Sequence, residues 1–141
     1  MADASPTDGN RPDPVQRIDT AFFWEACERG ELVAQKCPAC NRLWHPPRPM
    51  CPTCHSTEKE VEQLSGKGTV LSWVKQVHPP AFFFPESPIA ALVELDEGIR
   101  LVTNVVGIPS TDMRNGMRVS VGFEKTKGGK AVPVFHPAED M

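Results

Sequence analysis

The chain has 141 residues, of which 40% are hydrophobic and 23% are charged, and its formal net charge is −3. This composition is typical of a globular protein with one or two small domains. The acidic balance argues against nucleic-acid binding, which usually requires a basic patch or stripe. No apolar run approaches the roughly 18 residues that a transmembrane helix needs, so we expect no membrane partner.

The start of the chain is polar and rich in proline, and it lacks the basic and apolar parts of a secretory signal. The sequence predicts a disordered tail over residues 1–14, a helix with a metal-binding segment over 15–57, and a β domain over 58–141. We expect a cytoplasmic protein, in which regularly spaced cysteines indicate a metal site or catalysis rather than disulfides.

A helix is predicted for residues 19–30. Asp19 is expected to be its N-cap and Gly30 its C′ residue, and Arg29 suits the last turn. The apolar side chains nearly encircle this helix, so we expect it to be covered on more than one side. They belong to Ala21, Phe22, Phe23, Trp24, Ala26 and Cys27.

Two C-x-x-C pairs, separated by ten residues, follow a short predicted strand over residues 32–36. The four cysteines are Cys37, Cys40, Cys51 and Cys54. Each pair can direct two sulfurs from one tight turn toward the same ion, and two pairs complete a tetrahedral site. Because such a site has no open position, we expect a structural Zn²⁺ ion, favoured over iron.

Two alternatives to this zinc site remain open at the sequence level. The cysteines can be reduced and without a metal, or His45 or His55 can replace one sulfur as a ligand. The basic residues nearby have two interpretations, because they can offset the charge of the thiolates or simply face solvent. They are Lys36, Arg42 and Arg48.

The rest of the chain has the composition of β-structure, after a polar connector predicted for residues 59–65. Strands are predicted for residues 68–77, 89–96, 99–108, 117–123 and 131–135, with about one helical turn within 109–116. Gly98 is expected to turn the second strand into the third, and Gly128-Gly129 to form a two-residue hairpin turn. Five strands of this length favour an OB-fold barrel over a β-sandwich.

These motifs resemble a two-part family that joins an N-terminal helix and a rubredoxin-like zinc ribbon to a C-terminal OB-fold. The resemblance covers about residues 19–137 and includes both C-x-x-C pairs. It is carried by Phe23-Trp24, Gly30-Glu31-Leu32, His45-Pro46-Pro47-Arg48, the stretch from Gly116 to Val119 and the stretch from Val132 to Phe135. Asn41 and His55 depart from the family, which usually has glycine after each pair. We therefore expect a slightly different second turn with the zinc still bound.

The family was long classed as a domain of unknown function and is described as acyl-CoA-associated. The resemblance implies a non-catalytic accessory subunit that binds a thiolase-fold or lipid-transfer-protein-like enzyme, including lyases of steroid side-chain degradation. Some members are joined to MaoC-like enoyl-CoA hydratases. Acyl-CoA itself is a further expected contact.

Two aromatic surfaces are candidates for the partner interface. The first is the aromatic loop, residues 78–85, which carries Phe82, Phe83 and Phe84 between prolines; exposed apolar patches of this kind mark interaction sites. The second is the helix surface formed by Phe22, Phe23 and Trp24. The alternatives are that the loop plugs one end of the barrel and that the helix packs on its own ribbon and barrel.

A basic hairpin carries Lys125, Lys127 and Lys130, which are candidates for contact with CoA phosphates; a solvated hairpin is the alternative. No set of residues predicts catalysis. Cys27 is expected to be a small buried residue rather than a nucleophile, and His78 and His136 lie beside prolines without an acid–base partner.

The principal hypothesis is therefore a scaffold subunit of an acyl-CoA-processing complex. The alternative is a single-stranded nucleic-acid-binding module, since OB-folds and zinc ribbons often bind DNA or RNA. The two hypotheses differ in their response to salt, because a phosphate binder must lose affinity steeply as salt rises.

Overall fold

The computed structural model describes residues 11–79, 84 and 86–138. Within them the chain forms one α-helix, eight β-strands and one turn of 3₁₀-helix. None of the helices in this part of the chain has the length and apolarity needed to cross a bilayer.

Helix α1, Ala21–Glu28, is shorter than predicted and begins after Thr20 rather than Asp19. Its end follows the prediction, because Gly30 adopts a φ of 78°. The Gly30 N–H donates to the Cys27 carbonyl at 3.0 Å and the Glu31 N–H donates to the Ala26 carbonyl at 2.9 Å. These two bonds are the Schellman pattern, which glycine favours because it lacks a Cβ.

A three-stranded antiparallel sheet forms the ribbon, with the strand order β2-β1-β3. Its strands are β1 (Val33–Lys36), β2 (Leu43–Trp44) and β3 (Glu60–Gln63). The prediction of a connector over residues 59–65 is wrong, because part of this segment forms β3, which pairs along the whole of β1. This strand also moves the end of the ribbon beyond the expected boundary at residues 57 and 58.

The remaining strands close into a barrel with the order β4-β5-β6-β8-β7, which confirms the predicted five-stranded OB-fold. They are β4 (Lys67–Lys75), β5 (Ile89–Leu95), β6 (Arg100–Val105), β7 (Arg118–Lys125) and β8 (Ala131–Pro137). The 3₁₀ turn, Ser110–Asp112, lies between β6 and β7. Neighbouring strands are antiparallel except β6 and β8, which run parallel and pair at Val105 and Phe135.

The two glycine turns differ from each other. Gly98, with a φ of 98°, turns β5 into β6 as predicted. The β7–β8 turn is longer than the predicted two residues, because the Thr126 N–H donates to the Lys130 carbonyl at 2.7 Å across three intervening residues. Gly129 takes the left-handed position of this loop, with a φ of 82°.

One hydrophobic core joins the helix, the ribbon and the barrel. Phe23 and Cys27 from α1 and Val33 from β1 belong to the same buried cluster as the barrel side chains. Among the described residues, Phe135 is the largest side chain that is completely buried. The predicted covering of α1 on several sides is confirmed, since Phe22 and Trp24 also pack against this cluster.

The N-terminal segment, residues 11–14, lies on the barrel instead of forming the end of a disordered tail. The Arg11 guanidinium donates to the Asn104 side chain at 2.6 Å and pairs with Glu124 at 3.3 Å. Asp13 accepts from the Gly128 N–H at 2.8 Å, and the hydrogen bond from the Thr126 hydroxyl helps to keep the pKa of Asp13 below its ordinary value. Residues 1–10 lie outside the described residues.

Candidate metal centre

Each C-x-x-C pair forms a tight turn that ends on a left-handed residue. The turns begin at Cys37 and Cys51, whose carbonyls accept from the Asn41 N–H at 2.8 Å and the His55 N–H at 3.0 Å. Asn41 has a φ of 64° and His55 a φ of 66°. The expected difference in the second turn is therefore absent from the backbone, and His55 takes the conformation in which the family usually has glycine.

The two turns bring four sulfur atoms together. All four Sγ atoms lie within 4.8 Å of one another. Between the turns, the Sγ atoms of Cys37 and Cys54 lie 3.5 Å apart and those of Cys40 and Cys51 lie 3.6 Å apart. A tetrahedral zinc with a Zn–S bond of about 2.3 Å places its sulfurs roughly 3.8 Å apart. The donor set and its geometry thus fit the predicted Zn²⁺ ion, and this cluster of potential ligands contains cysteines alone.

Burial and hydrogen bonding have opposite effects on the Cys51 thiol. Burial raises its pKa, but N–H donors from Cys54 and Thr53 and the neighbouring thiols lower it to about 6. The two backbone donors lie 3.5 Å and 3.4 Å from the sulfur. At Cys40 the backbone hydrogen bond from Arg42 lowers the pKa, but burial and the hydrogen bonds with the other thiols outweigh it and raise the pKa to about 12. Within this pair the thiolate, which is the form that binds zinc, is therefore favoured at Cys51.

A buried glutamine organises the loop between the two pairs. The Gln35 side-chain oxygen accepts from the Trp44 indole N–H at 2.6 Å and from the Arg48 backbone N–H at 2.8 Å. Trp44 packs beside Cys37 and Cys51 in a small buried cluster. Sequence reasoning missed Gln35; its one signal was a polar residue within a short strand beside the cysteines.

The basic residues near the site have separate partners. Lys36 pairs with Glu62 at 3.0 Å. Arg42 extends from the first turn to the second, where it donates to the Thr53 hydroxyl at 2.6 Å. Arg48 contributes its backbone N–H to Gln35. Arg42 therefore links the two turns, whereas the predicted offset of the thiolate charge stays a prediction.

The aromatic residues predicted for a partner interface fall into three groups. Phe23 is 6% exposed and lies in the core, so its side chain is not accessible to a partner. Phe22, Trp24 and Phe84 are half-buried. The Arg11 guanidinium lies over the Phe84 ring, 5.4 Å from its centre. Phe82 and Phe83 lie outside the described residues.

Exposed aliphatic residues lie near both predicted surfaces, and sequence reasoning missed them. Val74 and Val77, 66% and 83% exposed, precede the aromatic loop. Val15 and Ile18 precede α1, with exposures of 77% and 101%. Val15, Ile18 and Val77 are isolated apolar residues in polar or proline-containing stretches, whereas Val74 follows Trp73 within β4.

The three hairpin lysines are exposed, as an anion-binding role requires. Lys125 lies 4.0 Å from the Glu28 carboxylate, and the Lys127 backbone N–H donates to the Arg11 carbonyl at 2.8 Å. Cys27, in contrast, is 1% exposed. Burial and then the charge of Glu28 raise its thiol pKa to about 12, which agrees with the predicted structural role.

Comparison with protein families divides the chain between residues 60 and 61. Residues 24–60 match "ChsH2, rubredoxin-like zinc ribbon domain" and residues 61–124 match "ChsH2, C-terminal OB-fold domain". The boundary of the two matches falls within β3, the strand that joins the ribbon sheet.

Two relatives differ in how much of their length this chain represents. A "Probable enoyl-CoA hydratase alpha subunit" of Thermomonospora curvata is 42% identical over 91% of this chain, which spans only 40% of that protein. A "DUF35 domain-containing scaffold protein" of Methanocaldococcus jannaschii is 34% identical over 71% of this chain and 72% of its own length.

A solved structure described as "Ltp2-ChsH2(DUF35) aldolase" contains a chain that is 41% identical, with a TM-score of 0.85. The alignment covers 90% of this chain and 100% of that one. Together with the two domain matches and the four clustered cysteines, these similarities show that the chain belongs to the DUF35 family of ChsH2-type proteins, which combine a rubredoxin-like zinc ribbon with an OB-fold.

Proposed function

We propose that the chain is a non-catalytic accessory subunit that binds a thiolase-fold enzyme of acyl-CoA metabolism, such as lipid or steroid side-chain degradation. A MaoC-like hydratase is the second partner class. The observation that carries this proposal is the set of four sulfurs at the metal centre. With four protein ligands, a tetrahedral zinc has no position for water or substrate and acts as a structural element.

The relatives support a role within a complex. One is described as an alpha subunit of a hydratase, one as a scaffold protein, and one is part of an aldolase with Ltp2 in its name. Because the chain corresponds to 40% of the hydratase subunit, that protein's own activity can reside in its other part.

The exposed apolar residues provide a surface for such a partner. Val74 and Val77 precede the aromatic loop in the chain and are exposed, and the loop's Phe84 is half-buried. Exposed apolar residues mark interaction sites, and aromatic side chains are enriched among those that contribute most to affinity. We place the principal partner contact here, with Phe22 and Trp24 as a second contact.

The experiment is co-elution of the purified chain with a thiolase-fold protein of acyl-CoA metabolism from the same organism. Replacing Phe82, Phe83 and Phe84 together with serine is expected to abolish co-elution, because several interface anchors are lost, while one zinc per chain is retained. Val61→Ser is the matched control, since Val61 is 54% exposed but lies on the ribbon strand β3. Unchanged binding by the triple variant would exclude the loop from the interface, and failure of the unaltered chain to bind would reject this partner.

We further propose that Lys125, Lys127 and Lys130 contact CoA phosphates in the complex. Changing each lysine to alanine is expected to weaken CoA binding about two- to fivefold, as for exposed ion pairs, and to reduce its salt dependence. Calorimetric titration with CoA measures both effects. Lys59→Ala is the control, because Lys59 contacts the Pro49 and Thr57 carbonyls in the ribbon. A dissociation constant that no hairpin substitution changes would contradict the assignment.

A further inference from the structure

A cavity of about 570 Å³ lies where the N-terminal segment, α1, the ribbon and the barrel meet. Its walls are mostly apolar and include Phe23, Trp24, Pro46, Leu101 and Val132. This volume lies within the range of small-molecule sites, which bury a ligand in apolar walls and orient it with a few polar groups.

The cavity opens where β6 and β8 cease to pair. At the β5–β6 turn the Leu95 N–H donates to the Ile99 carbonyl. Because backbone groups of an antiparallel pair alternate in direction, every second residue of β6, beginning with Leu101, directs its N–H and C=O groups toward β5. The residues between them, including Val102, therefore turn their backbone groups toward β8. Val106 lies four positions after Val102, so its backbone groups face the same side. Its N–H donates to the Phe135 carbonyl of β8 at 2.8 Å, as this alternation requires.

Pro133 interrupts the pairing of the two strands. If the parallel ladder continued regularly beyond the pair of Val105 and Phe135, the N–H of residue 133 would donate to the Val102 carbonyl. Proline has no N–H, so β8 supplies no donor at this position. Both Val102 and Pro133 line the cavity, and the Val102 carbonyl is thus an acceptor at its edge.

The charges around the cavity favour a neutral ligand. Among the described residues that line it, Arg11 is the one that carries a charge, and its guanidinium is paired with Glu124 at 3.3 Å. His45 also lines the cavity, and burial lowers its pKa below the ordinary value of 6.5, so it is uncharged at neutral pH. An anionic group would have to compete with Glu124 for Arg11.

We propose that this cavity binds a small neutral amphiphile whose apolar part lies against α1 and the ribbon and whose N–H or O–H group donates to the Val102 carbonyl. The cavity borders both proposed partner contacts, because Trp24 and Phe84 are among its lining residues, but the three hairpin lysines do not line it. The site requires the folded chain alone, so it can be tested separately from the proposed function.

A matched pair of probes tests the hydrogen bond. N-hexylacetamide and hexyl acetate have the same length, but only the amide carries an N–H. We expect titration with either probe to shift the ¹⁵N-labelled backbone signals of Leu101, Val102 and Val132, with the amide bound about two- to tenfold more tightly. Equal affinities would reject the Val102 acceptor, and shifts confined to other regions would reject the site.

A pair of variants tests the position of the site. Val102→Trp is expected to reduce the affinity for N-hexylacetamide at least about tenfold by filling the mouth of the cavity. Val61→Trp is the matched control, because Val61 is also exposed on a strand, does not line the cavity and lies outside the proposed partner contacts. Circular dichroism establishes whether each variant is folded. Unchanged affinity in a folded Val102→Trp chain would overturn the proposal. The probe pair uses the unaltered chain, so its result does not depend on whether this variant folds.

Discussion

Replacing Cys51 with alanine is expected to abolish stoichiometric zinc binding and to unfold the ribbon. Cys51 is completely buried and its sulfur contacts the Cys40 sulfur across the site. Structural zinc contributes on the order of 10–16 kcal/mol in small zinc-binding peptides, and a missing ligand removes much of that stabilisation. The zinc content, measured by mass spectrometry of the metal, should fall from one ion per chain to nearly none.

The effect should extend beyond the ribbon, because β1 belongs to the same core as the barrel. We expect the thermal unfolding midpoint of the whole chain to fall, as measured by circular dichroism. Cys27→Ala is the control, since Cys27 is buried away from the four ligands. It should lose some packing energy and keep its zinc. A Cys51→Ala chain with one tightly bound zinc ion would show that the site does not need all four sulfurs.

Phe135→Ala is expected to lower the free energy of unfolding by about 3–5 kcal/mol, because it leaves a large cavity in the core. Phe135 is 0% exposed and lies at the point where β6 and β8 pair. This cost is a large fraction of the 5–15 kcal/mol that is typical of a folded protein. Urea denaturation of zinc-loaded protein measures the difference.

The control for this substitution is Val102→Ala on the neighbouring strand. Val102 is 75% exposed, so its truncation should cost less than about 1 kcal/mol. Similar losses in the two variants would mean that the Phe135 side chain does not occupy the core as described. A loss in Phe135→Ala accompanied by release of zinc would show how strongly the barrel supports the metal centre.

The barrel could be predicted from local patterns, but two ribbon strands could not. The five barrel strands are rich in β-branched residues and separated by recognisable turns, so their number and approximate positions along the chain were predictable. Strand β3 contains one apolar residue, Val61, among charged and polar neighbours. It forms because β1 pairs with it from more than 20 residues away, and β2 has only two residues. Their pairing is a tertiary interaction, which a local pattern does not reveal.

The metal ligands were predictable for a different reason. A C-x-x-C pair is local, so its spacing alone places two sulfurs on one turn. The residues that support the site act over longer distances, as Gln35 does when it accepts from Trp44 and Arg48. The burial of Phe23 was also unpredictable in detail, because it depends on how α1 packs on the barrel. Helix periodicity showed that α1 is covered but did not identify the covering element.

The hydrogen bond from the Ala131 N–H to the Glu28 carboxylate has a consequence for synthesis on the ribosome. It joins the end of α1 to the beginning of the final strand, 103 positions later, at 2.7 Å. At about 5–20 residues per second, roughly 5–20 s pass between the emergence of these two residues. During that interval the nascent helix lacks its final neighbour, so its apolar faces need chaperones or transient contacts until the last strand arrives.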